Sequence, residues 1–452
     1  MREHAPSFDS LPAPVARSAR GGPTRREISV VVDVVTPILG GSSTTRAIDE
    51  VDIVRAATVR GHLRFWWRAL YASEQPNASE QPNALALYAR ESEVWGRAAA
   101  DEGGRSAVEI RVDVEKKGEI DKSDIDPQKT PGAYALWPAR AKKTRGQVTN
   151  PPAPRRAPGT RFRLTLITAS SCETEVRNAL RAWILFGGYG GRTRRGLGGL
   201  GVSHDPSSWL PSKATREAIE ALFGFDPFAP PPKVPGDVPC LGGAALQVGR
   251  DDHDAMKAWT AALDWLKEFR QGTSGLPGER AREPGTDKLQ PKRPSISNWP
   301  EADKVRHLRK KTRDHVPRHN PVPAWPRAGF GLPIIGQFQK NARHSGRYDE
   351  PDDFELCWRS ETGEHERLAS PLIVKALPLS DGAFVPCALW LYRAYPAGKV
   401  ILRGVTESEA PFDLLVAPGD TAQFSALANK QSLRAAFLDW LHAKYQTTVV
   451  AP

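Results

Sequence analysis

The residues with the clearest chemistry lie between Gly187 and Gly201, where eight of fifteen are glycine and Arg192, Arg194 and Arg195 stand in the middle. Glycine permits positive φ and removes the Cβ, so a polyanion can approach the main chain at Gly190, Gly191 and Gly196. Backbone N–H groups in such turns form anion-binding concavities, and arginine adds planar, permanently charged forks that suit phosphate. The expectation is a phosphate cradle rather than a linker, because linkers favour Gly/Ser and are rarely this rich in arginine. A second cationic group lies in the stretch Val54 to Tyr71, where Arg60, Arg64 and Arg68 recur at i, i+4 and i+8. Gly61 sits beside that stripe, where a side chain would block close approach. Stacked arginines repel one another by a few tenths of a kcal/mol per pair, a penalty that a bound polyanion removes. The competing expectation is a solvated face, or ion pairs with Asp49, Glu50 and Asp52.

Other chemistry is excluded by context. Gly196, Gly198 and Gly201 satisfy G-x-G-x-x-G, but they follow a helix-like stretch, whereas a dinucleotide fingerprint follows a strand and opens a helix. Leu197 stands where a P-loop needs lysine. No H-E-x-x-H, G-x-S-x-G or kinase signature occurs. His315 and His319 are spaced i, i+4, but Pro317 and Pro321 break the helix that a metal pair would need. Asp49, Glu50 and Asp52 could hold Mg²⁺ for RNA cleavage, yet charge balance for Arg46 and Arg55 is the simpler account. No catalytic residue, metal ligand or cofactor is expected.

These features sit in a chain of 452 residues, long enough for two domains with insertions. Lys+Arg exceed Asp+Glu by 63 − 52 = 11, which favours a polyanionic partner. Cys172, Cys240, Cys357 and Cys387 are far apart and read as buried thiols of a reducing compartment. No apolar run approaches the roughly 20 residues of a membrane span, and the N-terminus lacks a secretory apolar core. A cytoplasmic protein is expected.

The elements that must position the cations follow from periodicity. Residues 1–26 are expected to be a disordered basic tail. Ile28–Val35 is a β-branched strand in which Asp33 is a polar residue on one sheet face. Thr58 is expected to cap a helix from Val59, with Leu63, Trp66, Trp67 and Leu70 on its core face. The duplicated ASEQPN of residues 72–83 reads as a loop expansion. Ala84–Gly96 reads as a helix, Ser106–Glu115 as a strand, and Lys116–Pro158 as a structureless excursion. Arg161–Thr168 is a strand, and the helix Glu173–Phe186 feeds the glycine–arginine loop. This order predicts an α+β, ferredoxin-like domain over 27–235. A second domain, 236–452, begins with a strand Cys240–Val248 and a helix Asp254–Phe269, with Trp259, Leu263 and Leu266 inward. Beyond an insertion over Gln271–Pro300, Lys304–Arg313 is a basic segment able to cover nucleic acid. Gly329–Ile335 and Leu368–Leu377 read as paired strands, and Phe384–Tyr392 as another. Leu433, Ala436, Phe437, Trp440 and Leu441 form the core face of a terminal helix.

Several motifs together resemble one family: TPILGG (Thr36–Gly41), VRAATVRGHLRFWWRAL (Val54–Leu70), ESEVWGRA (Glu91–Ala98) and LFGGYGGRTRRGLGGLGV (Leu185–Val202). NWPEADKVRHL (Asn298–Leu308), FGLPI (Phe330–Ile334) and RLASPLIVKAL (Arg367–Leu377) continue in the same order. The chain resembles the first subunit of the type III-B CRISPR RAMP module, the Cmr RNA-targeting effector complex. The resemblance implies two tandem ferredoxin-like (RRM-like, RAMP) domains. It also implies a non-catalytic, RNA-binding subunit near the 3′ part of the guide RNA that helps capture target RNA, with other Cmr subunits as partners. Motif matching makes Arg55, Arg60, Arg64 and Arg68, with loop residues Arg192, Arg194 and Arg195, the RNA-contacting positions. The rival reading is a RAMP-type endoribonuclease that processes guide RNA or cuts target RNA. His62 lies about 160° from the arginine stripe at 100° per residue, which puts it away from RNA on that face.

Overall fold

The computed structural model describes residues 24–72, 84–97, 103–144, 147–230, 238–250, 254–271, 293–294, 299–338, 340–342, 346–420 and 425–452. Residues 1–23, most of the ASEQPN duplication and most of 272–298 lie outside the described residues.

The β-branched run forms strand β1 (Arg25–Val34), which starts three residues earlier than its apolar pattern and carries Arg25 and Arg26 in the ladder. It is followed by α1 (Ala56–Tyr71), α2 (Ala84–Trp95), β2 (Glu109–Lys116), the short α3 (Ala133–Leu136), and a hairpin of β3 (Lys142–Thr144) and β4 (Gln147–Asn150). Then come β5 (Thr160–Ala169), α4 (Glu173–Phe186) and β6 (Leu200–Val202). The sheet order is β2–β5–β1–β6, antiparallel throughout. Counting the four strands in chain order gives 2-3-1-4, the ferredoxin-like arrangement.

After α5 (Arg216–Phe223), the pattern repeats with β7 (Cys240–Val248) and α6 (Ala255–Gln271). An inserted unit follows, comprising α7 (Glu301–Leu308), β8 (Ile334–Gly336), β9 (Phe354–Ser360) and β10 (Gly363–His365). The chain then returns through β11 (Leu372–Pro378) and β12 (Phe384–Tyr392), and β13 (Lys399–Leu402) joins the inserted sheet by pairing with β9. Helix α8 (Leu433–Tyr445) and β14 (Thr448–Ala451) complete the second unit, whose order β11–β12–β7–β14 is again 2-3-1-4 and antiparallel. The protein is α+β, with two ferredoxin-like units in tandem.

Local expectations fail where tertiary contacts decide. Helix α1 begins at Ala56, not Val59, and Arg55 is its N-cap without a side-chain cap, while Tyr189 Oη accepts from Arg55 N at 3.0 Å. Gly329–Ile335 does not pair with Leu368–Leu377 as a strand: β8 lies on β9, β11 lies on β12, and a lone bridge joins Leu332 to Leu368. The excursion 116–158 is structured, containing α3 and the β3–β4 hairpin. Lys304 and Arg306 face inward rather than out. Lys304 Nζ meets Asp420 at 2.6 Å, and Arg306 Nε meets Glu350 at 2.9 Å.

Burial explains the layers. Helices α1 and α4 cover the first sheet with Leu63, Trp66, Trp67, Leu180 and Trp183, and the same core takes Leu246, Ile373, Leu377 and Leu389 from the second sheet. The opposite face of the second sheet (Ala245, Val374, Ala388, Trp390) packs on α6 and α8. Strand β11 is therefore buried at all seven positions and shows no polar alternation. Its period of two puts Lys375 between Ile373 and Leu377, on the face that meets α4. There Lys375 Nζ donates to Ile184 O at 3.1 Å and Gly187 O at 2.9 Å, carbonyls that the end of α4 leaves without helical partners.

Burial pushes the Lys375 ammonium down to about 7 from its usual 10.5. Between those values the unfolded chain holds the proton more tightly than the folded one, so this group makes stability rise with pH. The buried Cys387 thiol, pushed up to about 12 from 9.0, works the other way above 9.0. Chemical denaturation of Lys375→Met is expected to show a loss of about 1–3 kcal/mol for each orphaned carbonyl. It should also show a smaller gain in stability from pH 7 to pH 9 than the parent chain.

Candidate nucleic-acid interface

The glycine–arginine loop leaves α4 at Phe186 and enters β6 at Leu200, wedged between the two units. Thr36 Oγ1 donates to Gly196 O and accepts from Gly199 N, both at 2.7 Å. From the second unit, Trp259 Nε1 donates to Arg195 O at 2.7 Å. Gly196 has φ +75, and a Cβ there would lie 2.4 Å from Trp259 Cδ1. At Gly198 a Cβ would lie 1.8 Å from Tyr189 O. These glycines let the protein approach itself, which is a different use from the expected close approach of phosphate. Most loop amides are spent internally as well. Gly191 N donates to Leu39 O, Gly196 N to Thr193 O and Gly198 N to Pro37 O. Gly190, at φ +97, lies against Ile38 and Leu39.

The loop arginines are another matter. Arg192 has φ +61; the residue as a whole is exposed, but its guanidinium reaches in toward the seam, with Nη1 3.5 Å from Ala135 O. Arg194 is half-buried, its guanidinium carbon 5.7 Å from the Phe65 ring centroid. Arg195 Nη1 has only long contacts, 3.4 Å, to Arg194 O and Leu372 O. Burial pushes Arg194 down to about 10, helped by Arg393. It pushes Arg195 down to about 9, helped by Arg270, Arg192 and Arg194. Arg192 is lowered by burial and by Arg270, with Tyr134 opposing. Arg270 comes from the end of α6, and its Nη1 donates to Tyr134 Oη at 3.2 Å while its Nε is buried without a partner among the described residues. No carboxylate pairs with Arg192, Arg194, Arg195 or Arg270 among the described residues. Guanidinium is charged at neutral pH, so the seam holds like charges from both units with no counterion among the described residues. An anion is what this arrangement lacks.

The α1 stripe is wired differently. Arg64 Nε donates to Glu91 Oε1 at 2.6 Å and Arg68 Nη1 lies 3.6 Å from Glu91 Oε2, with that carboxylate buried on α2. Arg60 reaches Ser106 Oγ at 2.7 Å and Val108 O at 3.1 Å. Arg55 is paired with Asp49. Gly61 is exposed, with open space where a Cβ would go. Trp67 is fully buried and donates to Glu175 at 2.9 Å, so it is core. The arginines of the stripe and of the loop are therefore held by different partners; among the described residues, Arg194 is the loop arginine that reaches α1, at Phe65. Sequence alone does not single out Arg270 or Arg393: Arg270 follows Lys267 and Glu268 on α6 like any charge of a solvated helix face, and Arg393 is a lone cation just past an apolar strand.

The histidines are held internally. His62 stacks on Trp183 at 5.6 Å between ring centroids, and burial pushes it down to about 4, which leaves it neutral. His315 Nε2 lies 2.7 Å from Glu350 and His319 Nδ1 3.1 Å from Asp303. Among the described residues no group of three or more His, Cys, Asp or Glu could hold a metal ion, and no helix is long and apolar enough to cross a membrane.

Residues 31–200, most of the first ferredoxin-like unit, match the family model of the RAMP superfamily. Among solved structures, the chain is similar to Cmr1 from Pyrococcus furiosus in its apo form: 14% identity over 94% of this chain and 98% of that one, TM-score 0.47. It is also similar to a chain of the type III-B Cmr-beta bound to cognate target RNA, with 12% identity over 80% of this chain and 94% of that one, TM-score 0.42. No curated protein matches significantly.

Removing the Glu91 carboxylate leaves half-buried Arg64 unpaired. Glu91→Ala is expected to cost about 1–3 kcal/mol in chemical denaturation, whereas Arg68→Ala, longer and more exposed, should cost about 0–1 kcal/mol.

Proposed function

We propose that the protein is a non-catalytic, RNA-binding subunit of a type III-B CRISPR effector, the Cmr complex. In this role it lies near the 3′ part of the guide RNA and helps capture target RNA beside the other Cmr subunits. The motif series in family order and the RAMP match over residues 31–200 support the placement. One observation carries the RNA-binding part: Arg192, Arg194 and Arg195 from the first unit meet Arg270 from the second, with no carboxylate among the described residues paired to any of them. Backbone phosphate supplies the missing charge, and guanidinium forks suit it. The rival nuclease would need a proton-transfer group at the RNA, and the neutral, half-buried His62 packed on Trp183 is poorly placed for that.

The paired neutralisation Arg194→Gln with Arg270→Gln should weaken binding to single-stranded RNA of every sequence. It should also flatten the slope of log K against log[salt] by about 0.7 for each phosphate that is no longer neutralised. Arg68→Gln, whose charge Glu91 already meets, should change both far less. Unchanged affinity and slope in the paired variant, with its fold intact, would remove the assignment. Labelled guide and target RNA should stay intact on incubation with the purified chain, with Mg²⁺ or with chelator. Products in either lane would favour the nuclease.

A further inference from the structure

We propose that Trp137 is a stacking platform for the base of a nucleotide whose phosphate sits on the arginine cluster, an inference that rests on the RNA-binding role above. The ring is 42% exposed, although Ala133, Ala135 and Leu136 just before it are buried. A large aromatic so placed is available to a ligand that offers another flat apolar face.

The segment carrying it is built to hold still. Arg46, in the left-handed region at φ +64, threads three carbonyls with its guanidinium: Pro138 O, Arg140 O at 3.1 Å and Pro151 O at 2.6 Å. At the other end Gly132, φ +69, packs against the six-membered ring of Trp259, and a Cβ there would lie 2.0 Å from Cη2. The same indole holds Arg195 O through its Nε1. Trp259 therefore spaces the Trp137 segment and the arginine loop against each other.

Distance along α3 supports one nucleotide joining the two. Tyr134 Oη accepts from Arg270 and Ala135 O faces Arg192, so this helix is a wall of the cationic seam. Trp137 lies three residues beyond Tyr134, on the same helical face about one turn away. The surroundings favour nucleic acid over a protein partner. The Arg140 guanidinium carbon lies 3.8 Å from the Trp137 ring centroid, and Lys142 beyond it is exposed. Arg140 packs on one face of the ring, and the part of Trp137 that stays exposed is where a base would stack. An aromatic ring beside a cationic backbone track is how single strands are gripped without sequence preference.

The test compares the full chain with Trp137→Ala and Trp137→Phe, on single-stranded RNA of mixed sequence and on an abasic RNA of equal length. Stacking predicts that Trp137→Ala weakens the base-bearing RNA about 5- to 100-fold with an unchanged salt slope. Trp137→Phe should regain most of that affinity, and the abasic RNA should bind all three proteins alike. The inference is overturned if Trp137→Ala binds base-bearing RNA as the parent does, or if its affinity for abasic RNA falls to the same extent. The Arg194→Gln/Arg270→Gln pair separates the two ideas. Weakening in that pair alone removes the stacking role, and unchanged binding in every variant removes the RNA-binding role with it.

Discussion

A helix that ends in a protein interior must find donors for its last carbonyls. Helix α4 ends between two sheets, and its donor is a lysine from the other unit. Lys375 reaches Ile184 O and Gly187 O from a strand buried on both faces. This contact fixes where the glycine–arginine loop starts. Trp259 and Thr36 then fix its far side through Arg195 O, Gly196 O and Gly199 N. Much of the loop's backbone is therefore part of the joint between the units, and its cationic side chains are left for a ligand.

Two basic features of similar appearance thus have different fates. On α1, a helix-to-helix contact supplies Glu91, and the arginines serve mainly to attach α2 and β2 to the first unit. At the seam, the nearby groups of the second unit are Arg270 and Arg393, so docking brings like charges together. Burial of an unpaired cation is costly, and the directions of the shifts at Arg192, Arg194 and Arg195 record that cost. The seam can bear it because the apolar core around α1, α4 and the second sheet is shared by both units.

Much of this was legible in the sequence. The strand Cys240–Val248, the helix Glu173–Phe186 and the inward face of α8 follow their patterns, because burial of one face decides them. The glycine–arginine loop stood out by composition. For its glycines, sequence shows that a Cβ is missing and does not show what fills the space; here it is Trp259, Tyr189 and Leu39. The partner of the α1 stripe is not legible in the sequence because it lies on another helix, 27 residues from Arg64, whereas Asp49, Glu50 and Asp52 are the acids next to the stripe. The segment Lys304–Arg313 looked basic because Asp420 and Glu350, which pair with Lys304 and Arg306, are distant in the chain. The excursion 116–158 looked structureless because its short elements are held by Arg46 and by Trp259 rather than by periodic burial.

On the proposed function, RNA lies in the seam between the two units rather than along α1. Ultraviolet crosslinking of the full chain to single-stranded RNA, followed by peptide mapping, tests it most directly. Crosslinks should fall on peptides from both units that line the seam, those containing Arg192–Arg195 and those containing Arg270. Crosslinks confined to α1, α2 or the open face of the first sheet would contradict it.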